Sequence, residues 1–562
     1  MKLAGEQLAR VGEDRLRRWG PVALVLLTLI VLAPGSNLLP LMDRDEPRFA
    51  QASREMMERG EWIVPYFNGQ YRLHKPILIY WLMRPCYAAL GVTEFAARLP
   101  AIVCTALLVW LTFHVGARWF SAAAGFAAGF ALLTCAQMLL VGRGALADMP
   151  TVLCVLASHW AMFELISDQS PRPLWRWWWL FWGAMGVGFL AKGPVAILLP
   201  GLTLAFYRLA FWRRPLPWRR LRAGLGAPVT LAIIAAWGIP ALLRTQGEFY
   251  RVGIGHHVIN RGLAPFEGHG SFAPHYYFVA ALFSLFPWIA FAGDGLRAVR
   301  QGWGEKNAFL VSWVAGTYLV FTLYLTKLPH YVLPAFPALM LLLGQAALPG
   351  SKSGRWATVW FWLVETVAVT LATGLIVFAI AWRPEGALGE LRVLCVAAAG
   401  ILSSLAALAL FWRRGRLALS CGAVMTLALS TLLLGASMRS MTPSLRVREF
   451  ARSLPAETKC AAYRCGEPSL VFYTNLRWTE ITNAVEAEAF MTEPGPRLLA
   501  CYKSEIRLDD VFRKLTGKPA GESEAGPVVK GEGVTQTDLE GCNISHGSWV
   551  TLRLDYRAGQ SR

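Results

Sequence analysis

The residues of this chain best equipped for chemistry stand where apolar segments stop. "MDRDEPRFA" (42–50) delivers Asp45, Glu46 and Arg48 directly after a long oily run. "FNGQYRLHKPILIYW" (67–81) sets Lys75 before a proline, and "RGALADMP" (143–150) sets Arg143 and Asp148 around a helix start. "GFLAKGPVAILLP" (188–200) holds Lys192 in a Lys-Gly-Pro break, and "TKLPHYVLPAFPALMLL" (326–342) holds Lys327, His330 and Tyr331 around Pro329. Several cations beside a few carboxylates suit the binding of an anionic, phosphate-type group while a carboxylate orients or polarises its reaction partner. A charged residue at a helix break can face a polar cavity, with freed backbone groups as additional ligands. Helix capping accounts for one acid alone, because Asp45 and Glu46 precede Pro47 and suit a first helical turn. It does not account for both acids together with Arg48.

The elements that must position these residues are membrane helices. The chain has 562 residues, 24 of them Trp, with 16% charged residues and a mean hydropathy of +0.41. A soluble chain carries about 25% charge. Apolar windows fall at 20–42, 95–117, 121–142, 147–165, 174–190, 194–212, 226–243, 274–292, 307–326, 331–347, 355–381, 389–412 and 417–437, which predicts 13 spans. Each can cross about 30 Å of hydrocarbon as a helix. The first lacks the cleavage site of a signal peptide and is expected to be retained. Arg10, Arg15, Arg17 and Arg18 precede it, and "RLAFWRRPLPWRRLR" (208–222) and "WRRGR" (412–416) fall on the same side. The positive-inside rule then makes that side cytoplasmic and places loops 43–94 and 244–273 outside. The net charge of +19 reads as topology signal and contact with anionic lipid headgroups, with no nucleic-acid motif beside it.

This alternation gathers Asp45, Glu46, Lys75, Arg143, Asp148, Lys192, Lys327 and His330 at one leaflet, where ionisable residues usually face a cavity or a partner. Phe49, Ser53, Met56 and Met57 share a helical period, so the first outer loop is expected to contain an amphipathic helix. The Gly-rich loop "GIGHHVINRGLAPFEGHGSFAPHYYF" (253–278) adds His256, His257, Arg261 and Tyr276. It is read as a lid over a substrate. A structural divalent metal there would draw on His256 and His257 with His74 or Glu267 as a further donor. Residues 1–437 thus form a transmembrane domain and 438–562 a small soluble α/β domain on the outer side. In that tail "SLVFYTN" (469–475), "PRLLACYK" (496–503) and "SWVTLRLDYR" (548–557) are predicted strands. Cys460, Cys465, Cys501 and Cys542 are expected to form at least one disulfide in an oxidising compartment.

The acidic pair ending the first span, the Lys75–Pro76 step, "LADMP", "AKGPVA" and "KLPHYVLPAFPAL" together resemble membrane glycosyltransferases of the GT-C type. The nearest is the lipid A 4-amino-4-deoxy-L-arabinose transferase family of Gram-negative bacteria, and the resemblance runs from about 20 to 345. It implies a polytopic α-helical fold with outer-face amphipathic helices. It also implies transfer of aminoarabinose from undecaprenyl phosphate to a lipid A phosphate at the outer face of the inner membrane. Such transfer lowers surface negative charge and polymyxin binding. The family's first-loop acid falls on Asp45, its loop lysine on Lys75 and its later acid on Asp148. Where the family commonly has an acid before that lysine, this chain has His74.

Under this reading Asp45 holds the donor sugar's ammonium, with Asp148 and Glu46 as further catalytic candidates. Lys75, Arg48, Lys192 and Arg261 neutralise the donor phosphate, and Arg143, Lys327, His330, Tyr331 and Tyr276 contact substrate or acceptor. No cofactor is required by the sequence, and the expected state is a monomer among membrane lipids. Two other readings stay open. One is a polyprenyl-phosphate-mannose-dependent protein O-mannosyltransferase, with Asp45 as base on a Ser or Thr hydroxyl, or another polyprenyl-phosphate sugar transferase. The other is a transporter, which predicts an internal inverted repeat that the sequence does not display.

Overall fold

The computed structural model describes residues 2–43, 45–167, 174–211, 216–253, 255, 273–286, 288–345, 442–507, 533–543 and 548–558. It opens with α1 (Lys2–Leu32), α2 (Glu46–Glu58), a hairpin of β1 (Tyr66–Phe67) and β2 (Gln70–Tyr71), and α3 (Leu78–Leu90). The helical body continues with α4 (Glu94–Trp119), α5 (Ala122–Thr134), α6 (Ala136–Val141), α7 (Asp148–Ile166), α8 (Trp175–Lys192) and α9 (Val195–Ala210). After α10 (Trp218–Leu221) and α11 (Ala223–Arg244) come α12 (Tyr276–Ser284), α13 (Ala292–Gln301), α14 (Glu305–Leu323) and α15 (Phe336–Gly344). Among the described residues three helical segments are long and apolar enough to cross a membrane: Glu94–Trp119, Asp148–Ile166 and Trp218–Arg244. The predicted windows at 355–381, 389–412 and 417–437 lie outside the described residues.

Local chemistry sets the helix ends. Thr93 and Ser121 accept the amides of Ala96 and Ala124, each at 3.1 Å, and so cap α4 and α5. Gly193 stops α8 with φ +80°, a conformation in which glycine has no Cβ penalty. Pro194 then starts α9, so Lys192 ends one helix immediately before the next begins. Two predicted spans are divided. The window 121–142 breaks at Cys135, where extended backbone separates α5 from α6. The window 331–347 begins as a 3-10 turn, Pro329–Ala335, because prolines 329, 334 and 337 supply no amide donors.

The body packs through small residues as well as large ones. A Cβ added to Gly125 would lie 2.4 Å from the Phe113 carbonyl oxygen, so α4 and α5 meet backbone to backbone. A second apolar cluster lies under the first loop, where Phe49, Met56, Val64, Tyr80, Met83 and Tyr87 pack with Phe472 and Tyr473 of the tail. The buried Phe49, Ser53 and Met56 carry out the helical period read from the sequence.

Residues after Thr442 form α16 (Pro443–Ala451), β3 (Lys459–Tyr463), α17 (Pro468–Thr474), β4 (Trp478–Ile481), α18 (Ala484–Thr492), β5 (Arg497–Arg507), β6 (Val534–Asn543) and β7 (Ser548–Arg557). The strands make one five-stranded sheet of order β4-β3-β5-β7-β6, parallel across β4-β3-β5 and antiparallel from β5 onward. "SLVFYTN" is a helix and not the predicted strand: Pro468 opens it and Asn475, at φ +55°, closes it. The expected disulfide is also absent, since Cys460, Cys465, Cys501 and Cys542 are all free thiols. Cys460 and Cys465 pack in one apolar layer of the domain, whereas Cys501 belongs to the cluster formed with Ala487 and Met491. Replacing Gly125 with Val is expected to cost about 1–3 kcal/mol of stability through overpacking. Thermal unfolding in detergent measures this, and an unchanged midpoint would mean that α4 and α5 are not in close contact.

Candidate active site

The site is assembled around one buried ion pair. Glu46, first residue of α2, is 5% exposed and Arg98, in the first turns of α4, is 2% exposed. The Arg98 guanidinium donates from Nε and Nη2 to the two Glu46 carboxylate oxygens at 3.0 and 2.7 Å. It also donates to the carbonyls of Ser36, Leu39 and Pro40. Glu46 accepts the backbone amides of Met42 and Ala145 at 2.8 and 2.7 Å. Burial would push the Glu46 carboxyl up, yet Arg98 and the two amides hold it below its ordinary value. One pair therefore ties the end of the first helix, the start of α2, α4 and the turn before Asp148. Arg98→Met leaves that carboxylate buried and unpaired and should cost about 3–5 kcal/mol. A melting temperature within a degree of wild type would show that the pair does not hold the loop.

With α2 fixed this way, Asp45 stands exposed at its N-terminus and makes no side-chain capping bond. Lys192 Nζ lies 2.5 Å from Asp148 Oδ1 and 5.6 Å from the centre of the Tyr331 ring. Asp148, Lys192, Asp45 and Lys75 all act electrostatically on His330. Lys192, His330 and Lys75 act in the same way on Asp148. Residues from five separate stretches of the chain thus form one mixed-charge cluster. Its cations can neutralise an anionic group, while Asp45 stays open to a ligand.

Other predicted residues are engaged elsewhere. The Lys327 ammonium donates to the carbonyls of Phe321, Thr322 and Tyr324 and closes the C-terminus of α14. Arg143 is buried, donates to the Val31 carbonyl at 3.3 Å, and feels Arg98 and Glu46. Arg48 is half-buried within electrostatic reach of Asp43. His330 and Tyr331 are edge to face, and Tyr276 is edge to face with Tyr277. His74 is exposed, Lys75 half-buried. His256, His257, Arg261 and Glu267 lie outside the described residues. Among the described residues no three His, Cys, Asp or Glu side chains are grouped to hold a metal.

Two features escaped the sequence reading. Arg98 begins an apolar span, where a lone arginine reads as an interfacial anchor. The other is the docking of the tail on the first loop, through pairs more than 400 positions apart. Asp43 accepts the Ser469 amide at 2.8 Å and its hydroxyl at 2.5 Å. Leu41 N–H donates to the Tyr473 hydroxyl at 2.8 Å, and Arg54 donates to the Phe472 carbonyl and Asn475 Oδ1. Asn68 and Trp478 exchange two hydrogen bonds. Burial, aided by Glu467, pushes the Asp43 carboxyl up to about 7, against the pull of Ser469 and Arg48. A raised acid binds its proton more tightly when docked. Its contribution is therefore full below pH 3.8 and is lost as pH rises through about 7. The melting temperature should fall between pH 5 and 8 by more in wild type than in Asp43→Asn, and equal slopes would rule Asp43 out as the cause.

The helical body has a fold of the GT-C type. It aligns with the crystal structure of ArnT from Cupriavidus metallidurans bound to undecaprenyl phosphate at a TM-score of 0.75 and 22% identity, covering 96% of this chain and 99% of that one. The apo structure of the same protein aligns at 0.74. In sequence, the chain is 30% identical over 351 residues to an undecaprenyl phosphate-α-4-amino-4-deoxy-L-arabinose arabinosyl transferase of Pseudomonas fluorescens strain Pf0-1, covering 60% of each. It is 31% identical over 343 residues to the transferase of that name from Pseudomonas aeruginosa strain LESB58, covering 59% of this chain and 60% of that one. The match spans about 60% of the length of these curated relatives. A family model described as dolichyl-phosphate-mannose-protein mannosyltransferase matches residues 74–239. These findings bear out the resemblance to the aminoarabinose transferases.

Proposed function

We propose that this protein is a membrane glycosyltransferase that moves 4-amino-4-deoxy-L-arabinose from undecaprenyl phosphate to a phosphate of lipid A. The observation that carries the reading is Asp45, exposed at a helix start and within electrostatic reach of His330, on which Lys75, Lys192 and the Lys192-paired Asp148 also act. The reaction exchanges one phosphate partner of the sugar for another. The leaving phosphate gains charge as its glycosidic bond breaks, and Lys75 and Lys192 supply compensating positive charge at that moment. The acceptor phosphate is already an anion near neutral pH, so it needs little help from a general base. Asp45 is then available to hold the sugar's ammonium, and Asp148 holds the Lys192 ammonium in place. Attack on the face opposite the leaving group inverts the anomeric centre. No cofactor enters this scheme.

In the same proposal the protein is a monomer with 13 spans in the bacterial inner membrane. Its N-terminus is cytoplasmic, and its active site and tail are periplasmic. Mass spectrometry of lipid A from cells with and without the protein should detect a gain of one aminopentose that depends on it. Asp45→Asn is expected to lower kcat about 100-fold or more in vesicles. Full transfer by that variant would remove Asp45 from the mechanism.

The family-model match over 74–239 favours a second reading, transfer of a polyprenyl-phosphate-linked mannose to protein. In that case Asp45 would act as base on a hydroxyl. Labelled product on an acceptor peptide, with lipid A unmodified, would select it.

A further inference from the structure

Arg72 lies three residues before Lys75, just after the β1–β2 hairpin, and is only 5% exposed. Its amide donates to the Pro65 carbonyl at 2.8 Å, which fixes the backbone. Its Nε donates to the Tyr80 hydroxyl at 2.9 Å, and its guanidinium carbon lies 5.0 Å from the centre of the Phe49 ring. Phe49 and Tyr80 are themselves in ring contact, with centres 5.6 Å apart. This seat is rigid, yet it leaves most of the cation's capacity unused. Neither Nη1 nor Nη2 makes a hydrogen bond to any described residue, and no carboxylate among them forms an ion pair with Arg72. Burying a cation without a counter-charge costs several kcal/mol. A packing role alone would be met by an apolar side chain.

The position of Arg72 relative to the charged cluster gives it a task. Tyr80 feels both Arg72 and Asp45. His330 feels Asp45 together with Lys75, Asp148 and Lys192. Asp45 is the charged residue that acts on both Tyr80, the hydrogen-bond partner of Arg72, and His330. A sugar moving between two phosphate-bearing partners needs that pattern: an anion site for the leaving partner, another for the incoming one, and a carboxylate at the sugar between them. A hydroxyl acceptor would bring no charge for the second cation. The two open Nη groups form the planar edge that grips two oxygens of a phosphate.

We infer that Arg72 is a specificity residue whose Nη edge binds the phosphate of the acceptor, while Lys75 and Lys192 hold that of the donor. This inference rests on the proposed transfer between two phosphate-bearing substrates.

The test uses full-length protein in lipid nanodiscs and varies donor and acceptor separately. Arg72→Gln should raise the acceptor KM about tenfold, the equivalent of about 1.4 kcal/mol for a lost charged hydrogen-bond pair. The donor KM should move less than twofold. Arg72→Lys keeps the charge without the fork and should fall between Gln and wild type. A raised donor KM with an unchanged acceptor KM would assign Arg72 to the donor phosphate and overturn the inference. Unchanged values of both, with only a lowered melting temperature, would reduce Arg72 to packing. Direct binding of monophosphoryl lipid A and of undecaprenyl phosphate to wild type and Arg72→Gln is read independently of turnover. Wild-type protein that transfers nothing would therefore count against the transfer reading, while selective loss of monophosphoryl lipid A binding would still support Arg72. Equal binding of both lipids by both proteins would overturn it.

Discussion

The buried pair between Glu46 and Arg98 is the constraint on which the remaining geometry depends. Two charges are removed from water and compensated by each other, by three backbone carbonyls and by two amides. Such a pair contributes little net stability but strongly penalises any arrangement that separates its members. It fixes where α2 begins, and therefore where Asp45 stands. Because the Ala145 amide binds the same carboxylate, the pair also fixes the turn leading to Asp148. Asp45 and Asp148 are thus positioned through a third acid, Glu46, that is itself buried against Arg98.

A second layer of support comes from the tail. Its helix α17 lies against α2, and its Trp478 reads the hairpin that precedes Arg72 and Lys75. The tail is in this sense a brace for the loop that carries the proposed site. That arrangement gives the Asp43–Ser469 contact its importance, since it joins tail and loop two residues from Asp45.

Much of the charged cluster could be read from the sequence, because the reasons were local. Lys192 sits in a Lys-Gly-Pro break, and Gly193 at positive φ makes that break. Asp148 opens a strongly apolar helix, and His330 follows a proline at another helix break. Charge alternation then predicts that these ends lie at one leaflet. What the sequence did not reveal depends on distant partners. Arg98 meets Glu46 across 52 positions, Lys327 turns back to cap its own helix, and Arg72 shows its unused donors only once Tyr80 and Phe49 surround it. The apolar run "SLVFYTN" had a strand's composition, but Pro468 and a left-handed Asn475 close it into a helix. Cysteine content suggested a bridge, whereas the folded domain keeps each thiol free and buried or half-buried.

In the proposed function a polyprenyl phosphate places its headgroup at the cluster, with Asp45 beside the sugar it carries. The most direct measurement is an experimental structure of the full-length protein with undecaprenyl phosphate bound in nanodiscs. The expected result is the phosphate in contact with Lys75 and Lys192, and Asp45 facing the space next to it. A headgroup seated away from both lysines, with Asp45 turned to bulk solvent, would contradict it.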